Sequence, residues 1–329
     1  LKREFLYIKV NDGQGIYTWI DYNNDGVKDL NEFEVAQFID QASYIRVFTP
    51  SNTYVKTFSN ELNQSIFWRP ERLWASKKGV LKYVALFSNQ TRFRVNRKTT
   101  GLTGFNAFNP VQDAVRDTNL LSTSSSIRNS LFFNRTSNIF TAEYNFQNAQ
   151  SKTLVASGFD ARENRYNEVS SRLNISRIFS LEYAYQRGDK LVNADYVAGR
   201  NYGIAYYFHQ PTFSFQPNTK FRWSLDGKYT EKKNNADLGG EKAFLGELGT
   251  SIKYNQAEKG SLQANFKTVN SPLGFEMLEA LKPGLNYTWT VGYQRSLSNN
   301  LQISVQYTGR KSEANKAIHS GGMEVRAFF

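Results

Sequence analysis

The stretch "LNYTWTVGYQRSLSNNLQISVQYTGR", residues 285–310, decides the fold. Leu285, Tyr287, Trp289, Val291 and Tyr293 alternate with Asn286, Thr288, Thr290 and Gln294. Beyond the polar break around Asn299, Leu301, Ile303, Val305 and Tyr307 alternate with Gln302, Ser304, Gln306 and Thr308. Period two belongs to a strand with one apolar and one wet face, and two such runs around a short polar break read as a hairpin. "KFRWSLDGKYT" repeats the pattern, with Phe221, Trp223, Leu225 and Tyr229 set against Arg222, Ser224, Asp226 and Lys228.

Working outward, strands are expected near 62–76, 79–97, 121–134, 138–148, 162–176, 178–188, 201–216, 219–231, 244–256, 259–269, 284–296, 299–310 and 319–329. One more is expected in "SYIRVFTPSNTYVKTFS", giving about fourteen, or up to sixteen if 2–10 and 15–21 add a hairpin. Many of these runs reach ten residues, whereas soluble strands centre on about five or six. A tilted strand needs roughly nine to eleven residues to cross a hydrocarbon layer. "NYGIAYYFHQPTFSFQP" reads as one strand bent at Pro211. Connections fall into two alternating classes. Short ones include "SNN", "AEKG", "QPNTK", "RTSN" and "SKKG"; long ones include "FQNAQSKTLVASGFDAREN" and "VNSPLGFEMLEALKPG". That alternation predicts an all-β, antiparallel up-and-down transmembrane barrel, with short periplasmic turns and long extracellular loops.

The totals agree. No run of about 18 apolar residues occurs, which excludes a transmembrane helix but not a barrel. Cysteine is absent, and only His209 and His319 are present, so thiolate and histidine-rich metal sites are not expected. The net charge of +12 comes from lysines and arginines spread along the chain. Such a spread fits a solvated face better than nucleic-acid binding. The chain opens at Leu1 with no secretory leader, and is expected to be the C-terminal part of something longer.

A second motif precedes the alternating region. In "DYNNDGVKDLNE", Asp21, Asn23, Asp25, Gly26 and Glu32 satisfy the calcium-loop pattern D-x-[DN]-x-[DN]-G-x5-E. Asp21, Asn23 and Asp25 offer oxygens from one turn, Val27 its carbonyl, Asp29 a water-bridged oxygen, and Glu32 two oxygens. The frame is unusual: a strand-like segment enters the loop, and Lys28 stands where an apolar residue is usual. A structural calcium ion, fixing the chain just before the barrel, is the expected cofactor. "FEVAQFIDQ" could form a short helix after it.

No G-x-S-x-G, P-loop or H-E-x-x-H motif occurs, so a non-enzymatic role is expected. Glu182, Asp226, Arg172, Arg222, Lys228 and Lys253 are expected to face the lumen as paired charges. Trp68, Trp74, Tyr206, Trp223 and Trp289 are expected in the interfacial aromatic girdles. In the closing "GGMEVRAFF", Met323, Val325, Ala327 and Phe329 share one face. That ending resembles the C-terminal signal by which outer-membrane barrels are recognised by their assembly machinery.

"DYNNDGVKDLNEFEVAQFIDQASYIRVFTP" and the last 34 residues together resemble the C-terminal barrel region of large outer-membrane proteins of the Bacteroidota. The resemblance implies an integral outer-membrane location and a preceding N-terminal portion, but no activity. The expected organisation is an N-terminal segment, 1–40, with a strand hairpin, the calcium-type loop and a short helix, followed by a barrel over 41–329. A structural or accessory subunit of an envelope secretion or barrel-assembly complex, with protein partners there, is the favoured reading. A porin-like barrel is the alternative, disfavoured by large lumen-facing side chains and the lack of an evident plug. An outer-membrane enzyme is a second alternative.

Overall fold

The computed structural model describes residues 3–21, 24–36, 38–50, 56–101, 108, 120–155, 158–195, 201–256, 259–271, 284–298, 300–313 and 316–327. The chain is all-β and is dominated by one antiparallel meander. Its strands are β5 (Phe58–Trp68), β6 (Phe87–Thr99), β7 (Leu120–Phe133), β8 (Phe140–Val155), β9 (Gly158–Asn174), β10 (Phe179–Ala194) and β11 (Tyr202–Phe215). It continues through β12 (Phe221–Asn234), β13 (Lys242–Gln256), β14 (Gly260–Ser271), β15 (Gly284–Ser298), β16 (Leu301–Ser312) and β17 (Ile318–Ala327). Each strand pairs antiparallel with the next. Among the described residues no ladder joins β5 to β17.

The registers put one set of residues on one face throughout. In the row through β9 to β12, Arg172, Glu182 and Thr212 stand side by side, and Thr212 faces Asp226. The opposite face carries Leu181, Tyr183, Leu225, Tyr229, Leu248, Ile252, Phe266 and Val291, each between 36 and 53 % exposed. Soluble monomers rarely leave so continuous an apolar surface uncovered. On β12 that surface runs from Phe221 to Tyr229 before Glu231 and Lys233 end it. Eight steps of about 3.3 Å, tilted as barrel strands are, give an apolar height of roughly 20 Å.

Aromatic contacts border this band. Near the short turns lie Phe87–Phe133 at 5.1 Å, Phe179–Phe215 at 5.1 Å and Phe213–Trp223 at 6.4 Å. Nearer the other end lie Tyr185–His209 at 4.9 Å and Trp289–His319 at 5.7 Å. Trp68, Trp223 and Trp289 fall on the apolar face by register. Tyr206 does not. It faces the polar side, 8 % exposed, packed with Ile204, Ala243 and Leu245, and its hydroxyl accepts from Gln186 Nε2 at 2.8 Å. Trp74 lies off the sheet altogether, in the helical turn α1 (Glu71–Trp74).

Several sequence expectations are corrected here. Among the described residues the meander has thirteen strands, not about fourteen, because the segment expected to supply the extra one is β4 (Tyr44–Pro50), which pairs elsewhere. The "SKKG" connection is not a tight turn, since residues 69–86 carry α1 and α2 (Val80–Val84). The strand expected at 79–97 therefore starts only at Phe87. "FQNAQSKTLVASGFDAREN" is not a loop. It is the far end of the β8–β9 hairpin, whose ladder runs on to Val155↔Gly158. Pro211 sits inside a single strand as expected: β11 keeps its register with β12 from His209↔Tyr229 to Thr212↔Asp226. The proposed helix at "GFEMLEALK" lies outside the described residues.

The N-terminal strands form a small sheet joined to the meander by one parallel pairing, Arg3↔Val155 of β8. β1 (Arg3–Lys9) pairs along its whole length with β4, rather than with β2 (Tyr17–Trp19). β2 pairs with β3 (Phe33–Val35) and touches β4 at Tyr17↔Tyr44. One face gathers rings: Tyr7 stacks on Phe33 at 4.1 Å, and Phe33 meets Tyr44 edge-on at 4.9 Å. The Arg46 guanidinium lies 5.3 Å from the Phe5 ring and 5.1 Å from Phe48. "FEVAQFIDQ" forms β3 and a 3-10 turn, Ile39–Gln41, in place of an α-helix.

Trp289 also shows how tightly one wall residue is seated. It stands directly opposite Gly309, where a Cβ would lie 2.2 Å from the ring atom Cε2. Gly309→Val must expel the indole from this seat. The expected cost is about 1–3 kcal/mol, read as a lower urea midpoint with a red-shifted tryptophan emission that Trp289→Phe abolishes.

Candidate functional site

The calcium-type loop is the connection of the β2–β3 hairpin, residues 20–32. The hairpin ladder ends at Trp19↔Phe33 and is extended by Ile20 N–H donating to the Glu32 carbonyl at 2.9 Å. A 3-10 turn, Leu30–Glu32, brings Glu32 back under the loop. Glu32 is 2 % exposed, and its Oε2 accepts the Trp19 indole N–H at 2.8 Å and the Asp29 N–H at 3.4 Å.

Asp21 and Asp25 are shaped by the turn between them. Asp21 Oδ2 accepts from Gly26 N–H at 2.9 Å, and Asp25 Oδ1 accepts from Val27 N–H at 2.6 Å. Asn24 and Gly26 hold left-handed backbone, with φ of 57° and 74°. At Gly26 only glycine adopts that angle without strain, as the motif requires. Carboxylate oxygens of Asp21, Asp25 and Glu32 lie within 4.8 Å of one another. Oxygens on opposite sides of one calcium ion stand about 4.6–5.2 Å apart, twice the usual calcium–oxygen distance. Among the described residues, Asp21 Oδ1 has no hydrogen-bond partner, though it is buried. The chain's own groups therefore fit a hard cation.

The other motif positions are less drawn in. Asp29 stays exposed at the head of the 3-10 turn, its carbonyl accepting from Glu32 N–H at 3.0 Å. Val27 is also exposed, and Asn23 lies outside the described residues. The atypical Lys28 has a structural use: its Nζ lies 5.4 Å from the Trp19 ring and 5.6 Å from Tyr44. A lysine stem over aromatic rings covers apolar surface while the ammonium gains from the ring face.

The small sheet pairs in parallel with β8 at Arg3↔Val155, and its side chains reach the polar face of the meander at two further, distant strands. Arg46 Nη1 is 3.7 Å from Asp160 on β9. Burial raises the Tyr7 phenol above its ordinary pKa; Arg46, and more weakly Arg162 of β9, oppose the rise, and Tyr17 adds to it. On the other side, Arg310 of β16 holds Asp40 through two hydrogen bonds, Nε–Oδ1 at 3.1 Å and Nη2–Oδ2 at 2.6 Å. The same guanidinium lies 4.4 Å from the Phe38 ring. β9 is the fifth strand of the meander and β16 the twelfth. Sequence reasoning missed both contacts, because nothing local marks Asp40 and Arg310, 270 residues apart, as partners.

The expected polar-face residues are where alternation put them. Arg172 Nη2 pairs with Glu182 at 2.6 Å, and Arg222 approaches the same carboxylate at 3.5 Å. Asp226, Lys228 and Lys253 share that face by register. His209 and His319 lie on the apolar face instead, hydrogen-bonded to Tyr183 at 2.6 Å and Tyr307 at 2.7 Å. Met323 and Val325 also face the apolar side, 72 and 52 % exposed, while Phe329 is outside the described residues.

No protein-family model matches the sequence, and no curated protein does. Among solved structures, the chain is similar to the translocator domain of the autotransporter NalP from Neisseria meningitidis. The identity is 13 % and the TM-score 0.34, over 74 % of this chain and 87 % of that one.

Proposed function

We propose that the meander closes into an integral outer-membrane β-barrel with the N-terminal sheet across its lumen. The observation behind this reading is the uncovered apolar band, bordered by aromatics and backed by a polar face. The long hairpins then stand at the extracellular end and the short turns in the periplasm. Met323, Val325 and Phe329 make the contact with the barrel-assembly machinery. The role is non-enzymatic: the C-terminal barrel of a larger protein, serving an envelope secretion or barrel-assembly complex as a structural or accessory subunit.

The membrane reading fixes the cost of a charge on each face. Leu225→Arg should destabilise folding into lipid vesicles by about 2–4 kcal/mol if it lies near the midplane. The neighbouring polar-face change Ser224→Gln should cost much less in the same urea titration. Equal costs for the two would remove the bilayer from the argument.

The N-terminal sheet argues against the porin alternative. In planar bilayers the purified chain should be closed or nearly so. Arg310→Ala, which frees the 39–41 turn, should raise conductance severalfold, and the exchange Asp40→Arg with Arg310→Asp should restore closure. A wild-type protein that already conducts as a wide pore would favour the porin reading.

Calcium is proposed as a structural ion held by Asp21, Asn23, Asp25, Val27, Asp29 and Glu32. Added calcium should slow proteolytic cleavage within residues 20–32 at least tenfold. Asp25→Asn and Glu32→Gln should abolish that protection, and cleavage indifferent to calcium in the wild type would dismiss the ion.

A further inference from the structure

Several basic side chains on the polar face have acidic company: Arg172 and Arg222 share Glu182, Lys267 pairs with Glu247, and Arg310 holds Asp40. One sector gathers arginines instead. Arg92 on β6 stands directly opposite Arg128 on β7, and Arg94 is one row away, opposite Ser126. Among the described residues, none of the three arginines has an ion pair. Arg92 lies against a neutral group, the Gln90 side-chain amide, which accepts from Nε and Nη2 in one of its two orientations.

Like charges directly opposite across a ladder are destabilising. On this face Arg222 also stands opposite a cation, Lys253, but there Glu182 relieves the repulsion. Acids do lie around the arginines: Glu143 shares a small adjoining cavity with Arg92 and Arg128, Glu61 is bound to Asn63 Nδ2 at 3.1 Å, and Glu168 is bound to Asn145 Nδ2 at 3.4 Å. The three guanidiniums line a cavity of about 410 Å³ together with Asn63, Ser65, Ser126 and Gln147. Registers place Ser65, Arg92, Arg128 and Gln147 in one row across four strands, with Asn63, Arg94 and Ser126 in the next. This is a flat array of fork-shaped donors with neutral polar groups at its rim. Such an array suits an anion with several oxygens and more than one charge.

We propose that Arg92, Arg94 and Arg128 form a binding site for a phosphate-bearing anion on the inner wall. The proposal rests on the polar face being a lumen. It places the ligand between the short turns and the N-terminal sheet, because Arg92 and Arg128 each lie five residues from Phe87 and Phe133 at the short-turn end. The phosphate belongs either to a soluble phosphate chain or to a lipid headgroup.

The test is isothermal titration of the full chain, in non-ionic detergent, with sodium tripolyphosphate and separately with phosphatidic acid. Saturable binding of at least one probe is expected. Arg92→Gln and Arg128→Gln should each weaken it at least tenfold, while Arg326→Gln, on β17, should change it less than twofold. Tripolyphosphate alone would assign a soluble ligand, and phosphatidic acid alone a lipid. Without any anion, Arg128→Gln should raise the urea midpoint, because it removes the repulsion from Arg92. No binding of either probe, or unchanged binding by both variants, overturns the site. Heat-modifiable gel migration separates the two failures: a wild type that lacks it has no barrel, whereas one that keeps it but binds nothing has no anion site.

Discussion

Register is the constraint on which the whole wall depends. Side chains in a strand alternate with a period of two, so a slip of one residue at any hairpin would exchange both faces of every strand beyond it. Thirteen strands hold one polar and one apolar face because twelve successive ladders agree. The two irregularities in these ladders lie at Lys98/Thr99 and at Ser296/Ser298, both at strand ends. Between them the apolar face carries a polar group, Asn89, Thr91 and Asn129, which are hydrogen-bonded to one another on β6 and β7.

The sequence was most legible where the two faces differ most. Phe221 to Tyr229 and Leu285 to Tyr293 declare their strands because each apolar residue has a polar neighbour on either side. The same strands continue beyond the band, but there both faces are polar: Glu163 and Arg165 on β9, Arg187 and Asp189 on β10, Glu231 and Lys233 on β12. The ladders persist while the pattern that announces them disappears, which is why the β8–β9 hairpin read as a loop. At α1 the error ran the other way. "WRPERLW" keeps some alternation, yet Pro70 has αR backbone, with φ of −66°, and starts a helical turn. Proline at that position was the available signal.

The N-terminal sheet was legible only as separate pieces. Its calcium-type loop is a local motif, and Asp21, Asp25 and Glu32 do come together. Its pairing is not local. β1 has two later segments that could serve as partner, and chooses β4 because that pairing brings Phe5, Tyr7, Tyr44 and Arg46 to one face. The Arg310–Asp40 and Arg46–Asp160 pairs depend on the curvature of the complete meander. No window of sequence contains that information.

The odd number of strands fixes one further property. An up-and-down meander of thirteen begins and ends travelling in the same direction, so β5 and β17 are parallel to each other. A wall sealed by joining them has twelve antiparallel ladders and one parallel ladder. Parallel bonds are evenly spaced, slanted and slightly weaker per residue. Such a seam is the one line along which a cylinder closed in this way would unzip at least cost, and an antiparallel strand from elsewhere could enter there without any other ladder breaking.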